Sequence, residues 1–243
     1  MYPKLGLTRN IIRPHYALIT PDGLVPSVLP GWPGTTAHVI LSAAIGAGLT
    51  QFLLKPGPGT TAQVQTGPDE WFLYLITGSG NLDHETLPTG SYAWIPPDQS
   101  FTFQPTAPDT TLLVFRKVYQ PLEGHLPNAR FTGHPDNIPA IPFLGDPHAR
   151  LQTLLPDHPS ADMAVNLFTY DPGATLPFVE THVMEHGMLF LEGSGVYRLG
   201  DEWHPVTVGD ALWIAPYCPQ WFIAAGPGPA RYIYYKDINR SPA

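Results

Sequence analysis

The amino-acid sequence predicts an all-β protein built as two tandem barrels. Three observations carry that reading: the density of turn formers, the make-up of the apolar runs, and an internal repeat. The 243 residues include 30 prolines and 23 glycines spread along the whole chain. No stretch longer than a turn or two keeps apolar residues at helical spacing. What recurs instead are short aromatic and β-branched runs closed by Gly, Pro, Asp or Asn, as in "QFLLKPGPG", "WFLYLITGSGN" and "SYAWIPPDQ". Such runs read as short strands joined by tight turns.

The repeat orders these strands. "EWFLYLITGSG" (70–80) aligns with "EHGMLFLEGSG" (185–195), and "GSYAWIPPDQSF" (90–101) with "GDALWIAPYCPQ" (209–220). Upstream, "LLKPGPG" (53–59) mirrors "FTYDPGA" (168–174). Each copy predicts a strand, a G-x-G turn, a second strand, a Gly–(Asp/Ser) turn and a Trp-Ile strand. The expected organisation is an N-terminal extension over 1–44 packing on the barrels, a first repeat over 45–120, a Pro- and Gly-rich linker over 121–162 with little regular structure, and a second repeat over 163–243. The copies differ where chemistry would sit. Opposite His186, His182, Glu180 and Gln220 the first repeat places Trp71, Gly67, Gln65 and Phe101. The first copy is therefore expected to be metal-free frame and the second to carry the site.

Composition narrows the partners. Hydrophobic residues at 43% and charged residues at 13% suit a compact enzyme rather than a disordered chain. A net charge of −8 without any basic run argues against nucleic acid and anionic membranes, leaving a small-molecule substrate. The N-terminal residues lack the apolar run of a secretion signal, and "HVILSAAIGAGLTQFLLK" is too interrupted to span a membrane. Cys218 is the single cysteine, which leaves no internal disulfide and fits a reducing cytoplasm.

In "VETHVMEHGMLFLEGSGVYRLG" (179–200), strand alternation would put Glu180, His182, Met184 and His186 on one face, continued by Met188 and Phe190. That face reads as a cavity wall, where an unpaired carboxylate costs several kcal/mol. A divalent cation shared by the acid and the imidazoles removes the penalty, and such donors suit Mn, Fe or Zn. Gln220 offers a carbonyl oxygen as a fourth ligand. The plainer alternative is that Glu180 pairs with a His or Arg in a buried polar network. His15, His38, His84, His125, His134, His148, His158 and His204 stand singly and read as ordinary surface or packing residues. Cys218 reads as a small buried packing residue. Glu185 should face away from the cavity in a structural role, as should its counterpart Glu70. Tyr232, Tyr234 and Lys236 alternate onto one face of the last strand, and Tyr197 follows the second "GSG".

The pattern Glu180-x-His182-x3-His186-Gly187, followed by Gly209-x6-Pro216-x3-Gln220, resembles the two motifs of the cupin superfamily. Cupins more usually open on His-x-His and close on His. Glu first and Gln last, together with "HYALITPDGLVPSVLPGW" (15–32), "VYQPLEGH" (118–125), "ETHVMEHG" (180–187) and "YIYYKDINR" (232–240), are similar to the (S)-ureidoglycine aminohydrolase family, bicupins of purine (allantoin) catabolism. The resemblance implies two cupin barrels of the double-stranded β-helix, or jelly-roll, kind. It implies Mn²⁺, or another divalent metal, on Glu180, His182, His186 and Gln220. It implies hydrolysis of (S)-ureidoglycine to (S)-ureidoglycolate and ammonia, with Tyr197, Tyr232 and Lys236 in the catalytic pocket. Lys236 would pair with the substrate carboxylate or assist proton transfer. An octahedral cation with four protein ligands keeps two positions, which the substrate's amine and carboxylate would fill as a chelate. The resemblance further implies a homo-oligomer, with residues 11–50 as a candidate interface. Rival readings are an Fe²⁺ dioxygenase or Zn²⁺ sugar isomerase on the same scaffold, and a metal-free cupin that binds a small ligand.

Overall fold

The computed structural model describes residues 6–240, so positions 1–5 of the expected extension and 241–243 of the expected second repeat lie outside the described residues. Among the described residues there is no α-helix, only β-strands and three short 3-10 turns. The protein is all-β, with antiparallel sheets. The described residues divide into two compact units, one of residues 6–25, 140–151 and 166–236, the other of residues 26–139, 152–165 and 237–240.

The unit carrying the second repeat is built on an eight-stranded sheet. Its strands run in the order Ile11–Arg13, Tyr16–Ile19, Ala211–Ile214, His186–Glu192, Ala230–Asp237, Met163–Tyr170, Asp146–Thr153 and Ile141–Phe143. A second sheet contains Glu202–Thr207, Ser194–Leu199 and Gln220–Ala224. From the N-terminal segment, Tyr16–Ile19 pairs onto Ala211–Ile214, and Ile11–Arg13 pairs onto Tyr16–Ile19. Alternate residues of both sheets meet in one core: Phe168, Tyr170, Met188, Phe190 and Tyr232 from the larger, Tyr197, Leu199, Val206 and Phe222 from the smaller. Burying such side chains contributes on the order of 1.5–3 kcal/mol each before chain entropy is set against it.

The unit carrying the first repeat has a six-stranded sheet in the order Phe131–Gly133, Tyr92–Ile95, Asp69–Thr77, Thr111–Val118, Thr50–Pro56 and Thr35–Leu41. Its four-stranded sheet contains Ala62–Gln65, Ser100–Pro105, Gly80–Leu82 and Glu85–Leu87. Leu73, Leu75 and Val114 of the larger sheet pack with Val64, Phe101 and Phe103 of the smaller.

Equivalent bonds recur in both repeats. Trp71 pairs with Ile95 and Arg116, as His186 pairs with Ile214 and Lys236. The amide of Asp98 donates to the Gly67 carbonyl at 2.7 Å, as that of Tyr217 donates to His182 at 2.7 Å. Asp98 and Tyr217 both hold a left-handed backbone, with φ of 57° and 63°. Trp94 Nε1 donates to Glu70 at 2.9 Å and Trp213 Nε1 to Glu185 at 3.1 Å, so both carboxylates brace a Trp-Ile strand.

Two readings of the sequence need adjustment. The residue opposite Phe101 is the buried Val64, whereas Gln65 pairs with Ser100 and is exposed, so Val64 takes the place of Glu180. One more residue separates Val64 from Trp71 than separates Glu180 from His186, and an ungapped alignment slips across that difference. Residues 121–162 also hold more structure than their Pro and Gly content suggested, with strands Phe131–Gly133, Ile141–Phe143 and Asp146–Thr153. Phe131–Gly133 and Ile141–Phe143 lie at sheet edges, where Pro142 costs no ladder bond. Leu144 and Gly145, both at positive φ, close the hairpin between Ile141–Phe143 and Asp146–Thr153.

In the first repeat the equivalent of the donor cluster is a plug of rings. Trp71 and Phe101 meet edge to face at 5.8 Å, and Trp32 closes on Phe101 and Phe103 at 6.4 and 5.9 Å. No donor set remains there.

Candidate functional site

Glu180 and Gln220 form an isolated antiparallel bridge in which each amide donates to the other's carbonyl, at 2.8 and 2.9 Å. A pair bonded in both directions presents its side chains on the same face. His186 opens the strand His186–Glu192, but residues 181–185 belong to no strand. The alternation read across 180–186 therefore does not exist. The bridge and a turn bring these side chains together instead. That turn is held by the Tyr217 amide on the His182 carbonyl and by His182 Nδ1 on the Met184 carbonyl at 3.0 Å.

The four side chains converge. His186 Nε2 lies 3.2 Å from His182 Nε2, Gln220 Nε2 lies 2.9 Å from His182 Nε2, and Glu180 Oε2 lies 4.0 Å from that same nitrogen. Both imidazoles rest their Nδ1 on a backbone carbonyl, Met184 for His182 and Tyr235 at 3.2 Å for His186. A carbonyl only accepts, so Nδ1 carries the proton, and Nε2 of a neutral ring presents a lone pair. Burial, and next His182, lower the His186 pKa to about 3, which keeps that ring neutral. Two lone pairs facing each other at this distance repel unless a proton or a cation stands between them. Burial also raises the pKa of the Glu180 carboxyl, with Lys236 opposing the shift.

Octahedral bonds of about 2.1 Å put neighbouring donors about 3 Å apart and opposite ones about 4 Å apart, so these separations fit one cation. Among the described residues no group of three His, Cys, Asp or Glu side chains is gathered tightly enough to hold a metal by itself. The fit therefore depends on the Gln220 amide and on Glu180 closing toward the rings. Gln220 gives its nitrogen to His182 and its oxygen to the Tyr197 hydroxyl, which donates at 2.9 Å; rotation of the amide exchanges the two atoms.

Glu180, His186 and Gln220 open onto a cavity of about 40 Å³ walled by Phe143, Phe168, Met188, Tyr197, Tyr232 and Tyr234. A larger recess of about 360 Å³, bounded by Arg13, Tyr16, Glu202, Tyr217 and Cys218, holds none of the four donors. Three of the four donors line the smaller cavity.

Of the pocket residues expected from sequence, Tyr197 and Tyr232 line that cavity, with Tyr232 in hydroxyl contact with Tyr170 at 3.1 Å. Burial raises the pKa of both phenols, so they remain protonated. Lys236 is not on the wall. It sits half-buried opposite His186, within electrostatic reach of Glu180 and His186. Phe143 and Phe168 were not anticipated. Phe143 lies in the segment read as irregular, and only the periodicity of Met163–Tyr170 would have turned Phe168 inward. Among the other histidines, His134, His148, His158 and His204 bond locally, as in His148 on Asp171 and His204 on the Tyr16 hydroxyl. Cys218 is buried and its thiol pKa is raised by burial.

A cupin domain matches residues 166–235. The (S)-ureidoglycine aminohydrolase of Arabidopsis thaliana is 34% identical over 98% of this chain and 80% of its own length. That of Escherichia coli strain K12 is 33% identical over 93% of this chain and 89% of its own. The crystal structure of protein Ylba from E. coli superposes with a TM-score of 0.85 at 30% identity, covering 99% of this chain and 98% of that one. A variant of Bacillus subtilis oxalate decarboxylase, 12% identical with a TM-score of 0.70 over 92% of this chain and 77% of its own, shares the fold alone.

Proposed function

Because the chain belongs to the (S)-ureidoglycine aminohydrolase family of cupin-fold hydrolases, we propose that it converts (S)-ureidoglycine to (S)-ureidoglycolate and ammonia, in purine (allantoin) breakdown and with Mn²⁺. The observation that carries this reading is the convergence of the Glu180, His182, His186 and Gln220 side chains beside the cavity.

The substrate carbon bears an amine, a ureido group and a carboxylate. Water must replace the amine: a C–O bond forms, the C–N bond breaks, and one proton of the water leaves with the amine as ammonia while the other stays on the new hydroxyl. Glu180, His182, His186 and Gln220 would hold the metal. When bound, a divalent cation supplies Lewis acidity and a template. The Nδ1–H bonds to Met184 and Tyr235 fix the imidazole tautomers, and with the Gln220 amide rotated its nitrogen would donate to the Tyr197 hydroxyl and its oxygen would face the metal. Lys236 provides a cation within electrostatic reach of the donor cluster and is suited to the substrate carboxylate. The ring-lined wall excludes water from the ureido side, which must stay intact.

Raw affinity favours later divalent metals over Mn²⁺, so the choice of Mn²⁺ rests on the family. The same reading includes a cytoplasmic homo-oligomer. Among the described residues no helix is long and apolar enough to cross a membrane. The test is ammonia release from freshly generated (S)-ureidoglycine with Mn²⁺, beside His186→Ala. The variant should lose metal and turnover together while its melting curve persists. Turnover that requires oxygen, or a metal-loaded protein that releases no ammonia, refutes the reading.

A further inference from the structure

Tyr234 stands on the cavity wall, on the strand Ala230–Asp237, opposite Met188. Its ring meets His186 edge to face at 5.1 Å and Tyr232 at 5.8 Å. The neighbouring strand Met163–Tyr170 places Asn166 two residues before the wall residue Phe168, and therefore on the same face. Asn166 is 2% exposed, and its Nδ2 is enclosed without a hydrogen-bond partner of ordinary geometry. A buried amide donor without a partner is costly, and such groups in native folds call for a reason. The strands Met163–Tyr170 and Ala230–Asp237 are neighbours in the sheet, and the Asn166 amide stands beside the Tyr234 phenol.

We infer that Tyr234 contacts the substrate, its hydroxyl donating to the ureido carbonyl, and that Asn166 is the positioning residue that sets that hydroxyl. The inference rests on the proposed reaction. Asn166 Nδ2 offers its proton to the Tyr234 oxygen, so the phenol's own proton turns toward the cavity. Two residues along the same strand face, Lys236 brings a cation suited to a carboxylate, whereas Tyr234 is a neutral donor suited to a neutral carbonyl. The two ends of the substrate would then be told apart by charge, with the amine-bearing carbon between them.

The test uses two stable probes with metal-loaded protein: hydantoate, which keeps the ureido and carboxylate groups, and glycolate, which has a carboxylate and a hydroxyl but no ureido group. Affinities come from calorimetry. Tyr234→Phe keeps the ring against His186, so metal content and glycolate affinity should be unchanged while hydantoate affinity falls about tenfold, the usual worth of one hydrogen bond. Asn166→Leu removes the amide at nearly constant volume and should shift hydantoate in the same direction, and the double variant should be no weaker than Tyr234→Phe alone. Equal shifts for both probes, an unchanged hydantoate affinity, additive losses in the double variant, or no hydantoate binding by the unmodified protein would each overturn the inference. Absence of ammonia release alongside a preserved hydantoate–glycolate contrast would overturn the reaction alone.

Discussion

Replacing Glu70 by Gln should flatten the pH dependence of stability in the unit that carries the first repeat. Glu70, Lys117 and Asp162 are buried together, their side chains 0%, 7% and 0% exposed. Lys117 Nζ lies 2.5 Å from Asp162 Oδ2 and 3.9 Å from Glu70 Oε1. Trp94 Nε1 donates to Glu70 Oε2, and the Gln120 amide to Asp162 Oδ2. Glu70 Oε1 and Asp162 Oδ1 are enclosed without a donor, and a proton on Glu70 given to Asp162 satisfies both. Burial first, and that bond second, raise the Glu70 pKa well above its usual range, whereas Asp162 stays below its own. The cluster is then one ammonium, one carboxylate and one neutral acid.

The sign follows from the proton. Above the unfolded pKa of 4.5 the unfolded chain releases the Glu70 proton while the native state keeps it. Stability is therefore fully present below that pH and falls by about 1.4 kcal/mol per pH unit as pH rises toward the native value. The amide introduced by Glu70→Gln would donate the same bond with no proton to lose. That variant should therefore cost little near pH 5 (about 0–1 kcal/mol) and gain on the parent at each higher pH. Lys117→Met strands the Asp162 charge and should cost about 3–5 kcal/mol. Urea titrations from about pH 5 to 8 measure all three proteins. Parallel profiles for parent and Glu70→Gln, or equal losses for Glu70→Gln and Lys117→Met, would refute the proton assignment.

Two further outcomes are expected. Tyr197→Phe frees the Gln220 amide, so metal affinity should drop about 10–100-fold in a direct titration while the fold is retained. Asp171 is held below its usual range first by Arg150 and then by His148, so its contribution is present above the unfolded 3.8 and lost as pH falls further. Asp171→Asn should remove that acid limb from melting temperatures recorded between about pH 5 and 2, without changing the metal titration.

The donor set was legible because its residue types are costly inside hydrocarbon wherever the backbone carries them. Glu180 and His182 were found through a strand that does not exist; charge in an apolar setting was the sound part of that inference, and periodicity was not. The repeat was legible in "EWFLYLITGSG" and "EHGMLFLEGSG" because turn and core constraints recur, yet the pairing of Gln65 with Glu180 failed where a single residue shifts the register. Phe143 was out of reach, since its place on the wall is fixed by an edge hairpin in a segment whose composition signals only turns. Lys236 followed strand parity to the correct face but stands beyond the cavity wall, a distance that alternation does not encode.

The sealed first repeat has a consequence for what the duplicated scaffold can become. Trp71→His on its own would set an imidazole among Trp32, Phe101 and Val64 with nothing to share, and would leave a void where the indole had been. A second centre would need an acid at 64, imidazoles at 67 and 71 and an amide at 101, together with retreat of Trp32, and each intermediate would be less stable than the starting protein. Opening that half is thus an all-or-none step: packed rings must give way to polar groups that find no partner until the last of them is in place.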